Sequence, residues 1–406
     1  MGKSFGEKLR TARLERHLTQ AQLGNGTFRA RDISLLETGR REPAPGAPAL
    51  LSRRLESGRG GAASGTCEDG ALFLELSAWQ ALDERDYGGA CVLAGRAADA
   101  AAAAGDQQSW WAMTHLAARC LQAMYRVREA AGKASGLLRH PLAAEHPGLR
   151  AQAEILLARA YQGMGELGEA VAHARAALRS VQGSAPGALL FLEACEALSS
   201  ALAEFGQIDE AWEYCRTLVL PLLETGLPRE ARGRALWAVG NVAFRRGDYG
   251  TALRYHRNAA VLLLPGSDVE LWARFNSSTA AMRLAAGIHD AETLACIEHA
   301  EVGMAVVGLP AAEQLELIHS RGLWLDLNGE HIQAVDILSE VYAHREELPP
   351  QAAGEVALHL GLALARTGAT DAGSLYLADS EQSFRAVGAG DRAAHAAALA
   401  HEITTR

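Results

Sequence analysis

The segment LWAVGNVAFRRGDYGTALRYHRNA, residues 236–259, reads as two amphipathic helices joined by a tight reversal. Gly247 suits the left-handed residue that such a reversal needs, and Tyr249 and Ala252 open the second helix. Gly240, twelve residues before Ala252, leaves room for the paired helices to cross closely. Working outward, Ala252 has counterparts at Ala90, Ala130, Ala170, Ala211, Ala291, Ala334 and Ala372, and the eight anchors lie 40, 40, 41, 41, 39, 43 and 38 residues apart. Gly165, Gly206, Gly247 and Gly329 stand five residues before their anchors. Ala78, Ala118, Ala158, Ser199, Gly240 and Gly322 stand twelve before, where a larger side chain would separate the helices. The spacing predicts an all-α array of about eight helical hairpins over residues 70–406, weakest at Ala291 and Ala372.

Composition agrees with a large helical chain. At 406 residues, with 49% hydrophobic and 21% charged residues, it can bury more than one core. No run of apolar residues is long enough to span a bilayer, and no basic-then-apolar leader opens the chain, so a cytoplasmic protein is expected. Cys67, Cys91, Cys120, Cys195, Cys215 and Cys296 are scattered without a C-x-x-C pair and read as small apolar residues in a reducing compartment. The net charge of -9 is unevenly divided. Residues 1–60 hold twelve Lys and Arg against six Asp and Glu, whereas the remainder holds 27 against 42. A polyanion is attracted to the first segment only.

That segment predicts three helices. Phe5, Leu9, Ala12 and Leu14 recur at helical spacing, Thr19 caps a short second helix bracketed by Leu18 and Leu23, and Asn25-Gly26 breaks the chain. Phe28 then anchors a third helix whose Ile33 and Leu36 face inward and which Gly39 ends. Residues 57–65 form a Gly/Ser/Ala-rich stretch, giving a division into a head, 1–57, a flexible linker, 58–69, and the repeat body, 70–406.

Leu18-Thr19-Gln20-x-x-Leu23, followed by Ile33-Ser34-x-x-Glu37-x-Gly39-x-Arg41-x-Pro43, resembles the lambda-repressor-like (XRE-type) helix-turn-helix family over residues 4–57. The resemblance implies binding to a double-stranded DNA operator, with Gln20 on a phosphate, Arg29, Arg31, Asp32 and Ser34 facing bases or phosphates, and Arg40 and Arg41 on neighbouring phosphates. Arg29 stands where that family has Ser or Thr, and the motif is one residue shorter than its commonest form.

The Gly-x-Tyr-x-x-Ala turn between small crossing residues resembles the tetratricopeptide repeat, lengthened to about forty residues, which implies a right-handed α-solenoid. In that geometry the first helix of each pair lines an inner surface, and two columns point into it. One holds Glu75, His115, Ile155, Glu196, Trp237, Asn276 and His319, and the other Trp79, Arg119, Arg159, Ser200, Asn241, Ala280 and Leu323. His115, Arg119, Arg159, Glu196, Trp237, Asn241, Phe244, Asn276 and His319 are the candidates for contacting an effector, a small molecule or a peptide. The same residues also fit the hydrated inner wall of a repeat array.

Head and body together resemble peptide-sensing regulators of Gram-positive bacteria and regulators found in actinobacterial secondary-metabolite clusters. That resemblance implies a homodimeric transcription regulator. A DNA-anchored scaffold for a protein partner is the alternative. The chain contains no G-x-S-x-G, H-E-x-x-H or Walker-type motif and no Cys/His metal spacing, so neither an enzyme nor a cofactor is expected.

Overall fold

The computed structural model describes residues 5–16, 18–24, 28–38, 51, 55, 67–182, 187–308 and 310–405. These divide into two compact units, Met1–Thr225 and Gly226–Arg406. The fold is all-α and, beyond the head, consists of tetratricopeptide-like helical hairpins.

In the head, α1 (Phe5–Glu15), α2 (Gln20–Gly24) and α3 (Ala30–Glu37) enclose Leu9, Ala12, Leu23, Ile33 and Leu36, with Leu51 and Leu55 in the same core. Thr19 caps α2 as expected: its Oγ1 accepts from the Gln22 N–H at 3.1 Å, and Gln22 Oε1 accepts from the Thr19 N–H at 2.7 Å. Gly6 lets α1 meet the end of α3, since a Cβ there would lie 2.3 Å from the Leu36 carbonyl oxygen. Arg16 donates to the carbonyls of Ala12 and Leu55. The breaks expected at Asn25-Gly26 and Gly39 lie outside the described residues.

The first unit continues with α4 (Cys67–Asp83) and α5 (Tyr87–Ala103), α6 (Gln107–Ala123) and α7 (Val127–Arg139), then a short α8 (Pro141–Glu145). Next come α9 (Pro147–Gly163) and α10 (Leu167–Gln182), then α11 (Ala188–Glu204) and α12 (Ile208–Tyr214). A π-helical turn, Cys215–Val219, carries α12 into α13 (Leu220–Leu222), where Pro221 has no N–H to continue the ladder. In the second unit α14 (Arg229–Arg245) pairs with α15 (Tyr249–Leu262), α16 (Val269–Ala285) with α17 (Ala291–Val307), and α18 (Ala311–Leu327) with α19 (His331–Ala343). Finally α20 (Pro350–Arg366) pairs with α21 (Thr370–Ala386), and α22 (Gly390–Thr405) follows. Among the described residues no helix is long and apolar enough to cross a membrane.

Each first helix, α4, α6, α9, α11, α14, α16, α18 and α20, has 17 residues. Each hairpin then reverses through one left-handed residue: Arg85, Tyr125, Gly165, Gly206, Gly247, Gly287, Gly329 and Gly368. This corrects two anchors. Ala291 is exposed and Ala372 only half-buried, whereas Thr293 and Gly373 are buried like the alanines of the other hairpins. With these replacements the spacing tightens to 40, 40, 41, 41, 41, 41 and 39 residues. One extra residue in the turn before α17 had displaced the apparent anchor.

Side-chain volume is traded across each hairpin. Ala78 faces Ala94 in one core and Ala118 shares another with Ala134. In later hairpins glycine answers a larger partner. A Cβ on Gly240 would lie 2.1 Å from His256, one on Gly322 would lie 2.7 Å from Leu338, and one on Gly361 would lie 2.9 Å from Leu377.

Candidate functional site

In the head, Gln20 opens α2 and donates through Nε2 to Glu37 Oε2 at 2.8 Å. Glu37 also takes the forked guanidinium of buried Arg13, at 2.6 and 3.0 Å. Burial pushes the Glu37 carboxyl up, but Arg13 and Gln20 hold it below the ordinary carboxylate range. Gln20 is thus fixed by a carboxylate from the end of α3. Asp32 differs from expectation, because its carboxylate accepts the Arg29 backbone N–H at 3.1 Å and caps α3 from within. Arg29 and Arg31 are exposed at the start of α3, and Ser34 is half-buried. Arg40 and Arg41 lie outside the described residues.

In the first unit, α6 touches α9, and α9 touches α11. Arg119 and Arg159 are exposed on α6 and α9 at the thirteenth position of each helix, one repeat apart. His115, on α6, is half-buried, and burial together with the Arg119 and Arg159 charges pushes its imidazole down to about 4. The ring is therefore neutral at pH 7, and the three side chains share one neighbourhood. Glu196 is half-buried on α11.

In the second unit, half-buried Trp237 meets Phe275 edge-on, with centroids 5.8 Å apart, and its Nε1 is buried without a hydrogen-bond partner. Asn241 Oδ1 lies 3.1 Å from His256 Nε2. Phe244 does not line an open face: it is buried, with His256 edge-on at 5.0 Å. Asn276 and Ala280 are buried too, and Asn276 donates to the Trp272 carbonyl at 2.8 Å. The displaced anchor explains this, since a one-residue slip rotates a helical position by roughly 100°. The residues in register are Ser277 and Ala281, neither of them buried. His319 Nε2 approaches His359 Nδ1 at 2.8 Å across α18 and α20, and the rings stack at 5.0 Å. Burial pushes His319 down to about 4 and His359 well below its usual value.

A third column, three residues before the first, escaped the sequence reading: Glu193, Arg234, Arg274, Glu316 and Glu355, the sixth residue of successive first helices. Its signal was a charged residue at the same helical position of five successive first helices. Arg274 binds Glu270 at 2.6 Å and both oxygens of Glu313 at 2.9 Å. Glu316 is exposed as a residue, yet desolvation of its carboxyl and the neighbouring Glu313 hold it above the usual range.

No family model matches this sequence, and no curated protein does. Solved structures do. A Rap protein in complex with competence and sporulation factor has 12% identity, covers 98% of each chain, and gives a TM-score of 0.54. Aspartyl phosphate phosphatase F from Bacillus subtilis has 12% identity over 94% of each chain, with a TM-score of 0.50. PlcR from Bacillus thuringiensis, in complex with the peptide PapR7 and DNA, has 12% identity over 78% of this chain and 99% of its own, with a TM-score of 0.44. At such identities the likeness to the first two is one of fold, and it places this chain among all-α helical-repeat proteins.

Proposed function

We propose that this chain is a sequence-specific DNA-binding transcription regulator that acts as a homodimer and whose hairpin body binds an effector, a small molecule or a peptide, rather than catalysing a reaction. The observation that carries this reading is the core of the head. Leu72 and Leu76 of α4, the first helix of the body, are buried in it beside Leu9 and Leu23. Burial of two leucines stabilises that joint by about 3–6 kcal/mol, so the head is held to the body rather than tethered. A ligand that rearranges α4 and its neighbours then moves the DNA-binding surface directly, provided it binds one arrangement better than the other.

Three further features support DNA as the partner of the head. A net positive charge is confined to the N-terminal segment. Arg29 and Arg31 are exposed where α3 begins. Helix α2 packs against α3, and α3 is long enough to enter a major groove. A homodimer would present two heads to half-sites about 34 Å apart. Selection of bound duplexes from a random pool with the full chain should enrich a two-fold symmetric sequence. Arg31→Ala should blunt the preference at specific base pairs, whereas Gln20→Ala should weaken all sequences alike. Failure to enrich any sequence would overturn the reading and favour a protein-binding scaffold.

A further inference from the structure

Trp237 and Thr279 each carry a polar atom, the indole Nε1 and the hydroxyl Oγ1, that is buried without a hydrogen-bond partner among the described residues. Burying such an atom is costly, and comparable groups elsewhere in the chain are satisfied. The Trp324 indole donates to the His289 carbonyl at 3.1 Å. The buried hydroxyls of Ser199, Ser320 and Ser380 donate to carbonyl oxygens at 2.8, 3.0 and 2.8 Å. Both orphaned atoms belong to one cluster in the second unit. The Phe275 ring lies 5.8 Å from Trp237 and 6.0 Å from His256, and His256 lies 5.0 Å from Phe244. Thr279 follows Phe275 by one turn of α16, on the same face. Phe244, His256, Phe275 and Thr279 are buried, whereas Trp237 is only half-buried, so part of its ring meets solvent while its N–H points inward. The cluster is uncharged at neutral pH, since His256 is held as the neutral imidazole, engaged with Asn241 at 3.1 Å. We propose that this joint between α14, α15 and α16 is a binding site for an uncharged carbonyl compound, whose oxygen accepts from Trp237 Nε1 and Thr279 Oγ1 and whose apolar body packs against Phe275. An ionised carboxylate would enter without a counter-charge, and a hydrocarbon would leave both donors unanswered.

Such a site presupposes that the body is an effector-binding array, and it is tested apart from the head. Titration of the full chain with acetophenone, benzoate and ethylbenzene, probes of like size, should show acetophenone binding at least about tenfold tighter than the other two. The chain holds seven tryptophans, and the indole signal lost in Trp237→Phe identifies Trp237 in the nitrogen-15 spectrum. That signal should move downfield when acetophenone is added, as a new hydrogen bond requires, while the signal of Trp324, already bonded, stays in place. Thr279→Val should weaken acetophenone about tenfold yet raise the melting temperature of the unliganded chain, because a methyl of the same shape replaces an unanswered buried hydroxyl. An ordered water only is the competing outcome. It would appear as a cross-peak between the Trp237 N–H and long-lived water, with a lower melting temperature in Thr279→Val, and would overturn the proposal. Equal binding of ethylbenzene or benzoate would overturn it too, as would an unmoved Trp237 signal. If acetophenone binds as expected while no DNA sequence is selected, the site stands and the regulatory reading falls. If a sequence is selected but acetophenone does not bind up to its solubility, only the site falls.

Discussion

Tyr125 turns its hairpin at φ 59°, where six of the eight reversals use glycine, and Arg85 does the same at 61°. An L side chain in that region costs about 1–2 kcal/mol, part of which returns as entropy lost by a glycine-containing unfolded chain. Tyr125→Gly should therefore raise stability by about 1 kcal/mol in urea denaturation. An unchanged or lower midpoint would mean that the exposed ring makes contacts worth more than the strain. His256 gives a second prediction. It is buried against Asn241, Phe244 and Phe275, and burial holds it at about 4 against an ordinary 6.5, with the Trp237 carbonyl opposing part of that fall. Between those two values the unfolded chain binds a proton that the fold refuses, so stability is intact above pH 6.5 and drains away as pH falls towards 4. The loss is about 3 kcal/mol. Denaturation midpoints measured from pH 7.5 to 4.5 should fall less steeply in His256→Asn, and parallel curves would refute the assignment. Burial of His256 was not readable in the sequence because its room is made by Gly240, sixteen residues earlier on another helix.

At the scale of the element, the chain was legible wherever turn chemistry and helix period agreed. Helix existence, the crossing residues and the inward Ile33 and Leu36 were all readable. Register failed at α16 and α20 because alanine, abundant throughout, is a weak marker, whereas Gly287 and Gly368 mark the reversals by their backbone conformation. That slip carried Asn276 into the candidate site and hid the charged column on which Arg274 and Glu316 lie. Helix α4 shows a different limit. Its early residues read as the end of a glycine-rich connection, while Leu72 and Leu76 belong to the core of the head, a partnership that no local pattern announces. Leu76→Ala should cost about 2–5 kcal/mol. Hydrogen exchange should localise the loss, with amides of α1–α3 exchanging faster along with those of α4. Acceleration confined to α4 would show that the head stands without it.

Across the whole molecule, the period runs unbroken from Ala211 to Ala252, 41 residues, so nothing in the sequence marks the boundary between the units at Thr225 and Gly226. Stability in a repeat array is a sum of local terms, and two compact units are expected to melt separately. Calorimetry should resolve two transitions. Tyr125→Gly should raise one and leave the other, while His256→Asn at acidic pH should act on the other alone. A single transition moved by both variants would show that the units unfold together. The trade of volume at the crossings bears on how the chain came to be and how it finds its fold. An array that arose by copying one hairpin begins with interchangeable parts, any of which can mispair with a neighbour or with the same hairpin in another molecule. Here the helix that carries Gly240 accepts a histidine and the one that carries Gly322 accepts a leucine, whereas Ala78 and Ala118 share their cores with Ala94 and Ala134. Out-of-order pairing leaves either a clash or a void, so each helix recognises its own partner during assembly, and recombination that shuffles hairpins is penalised.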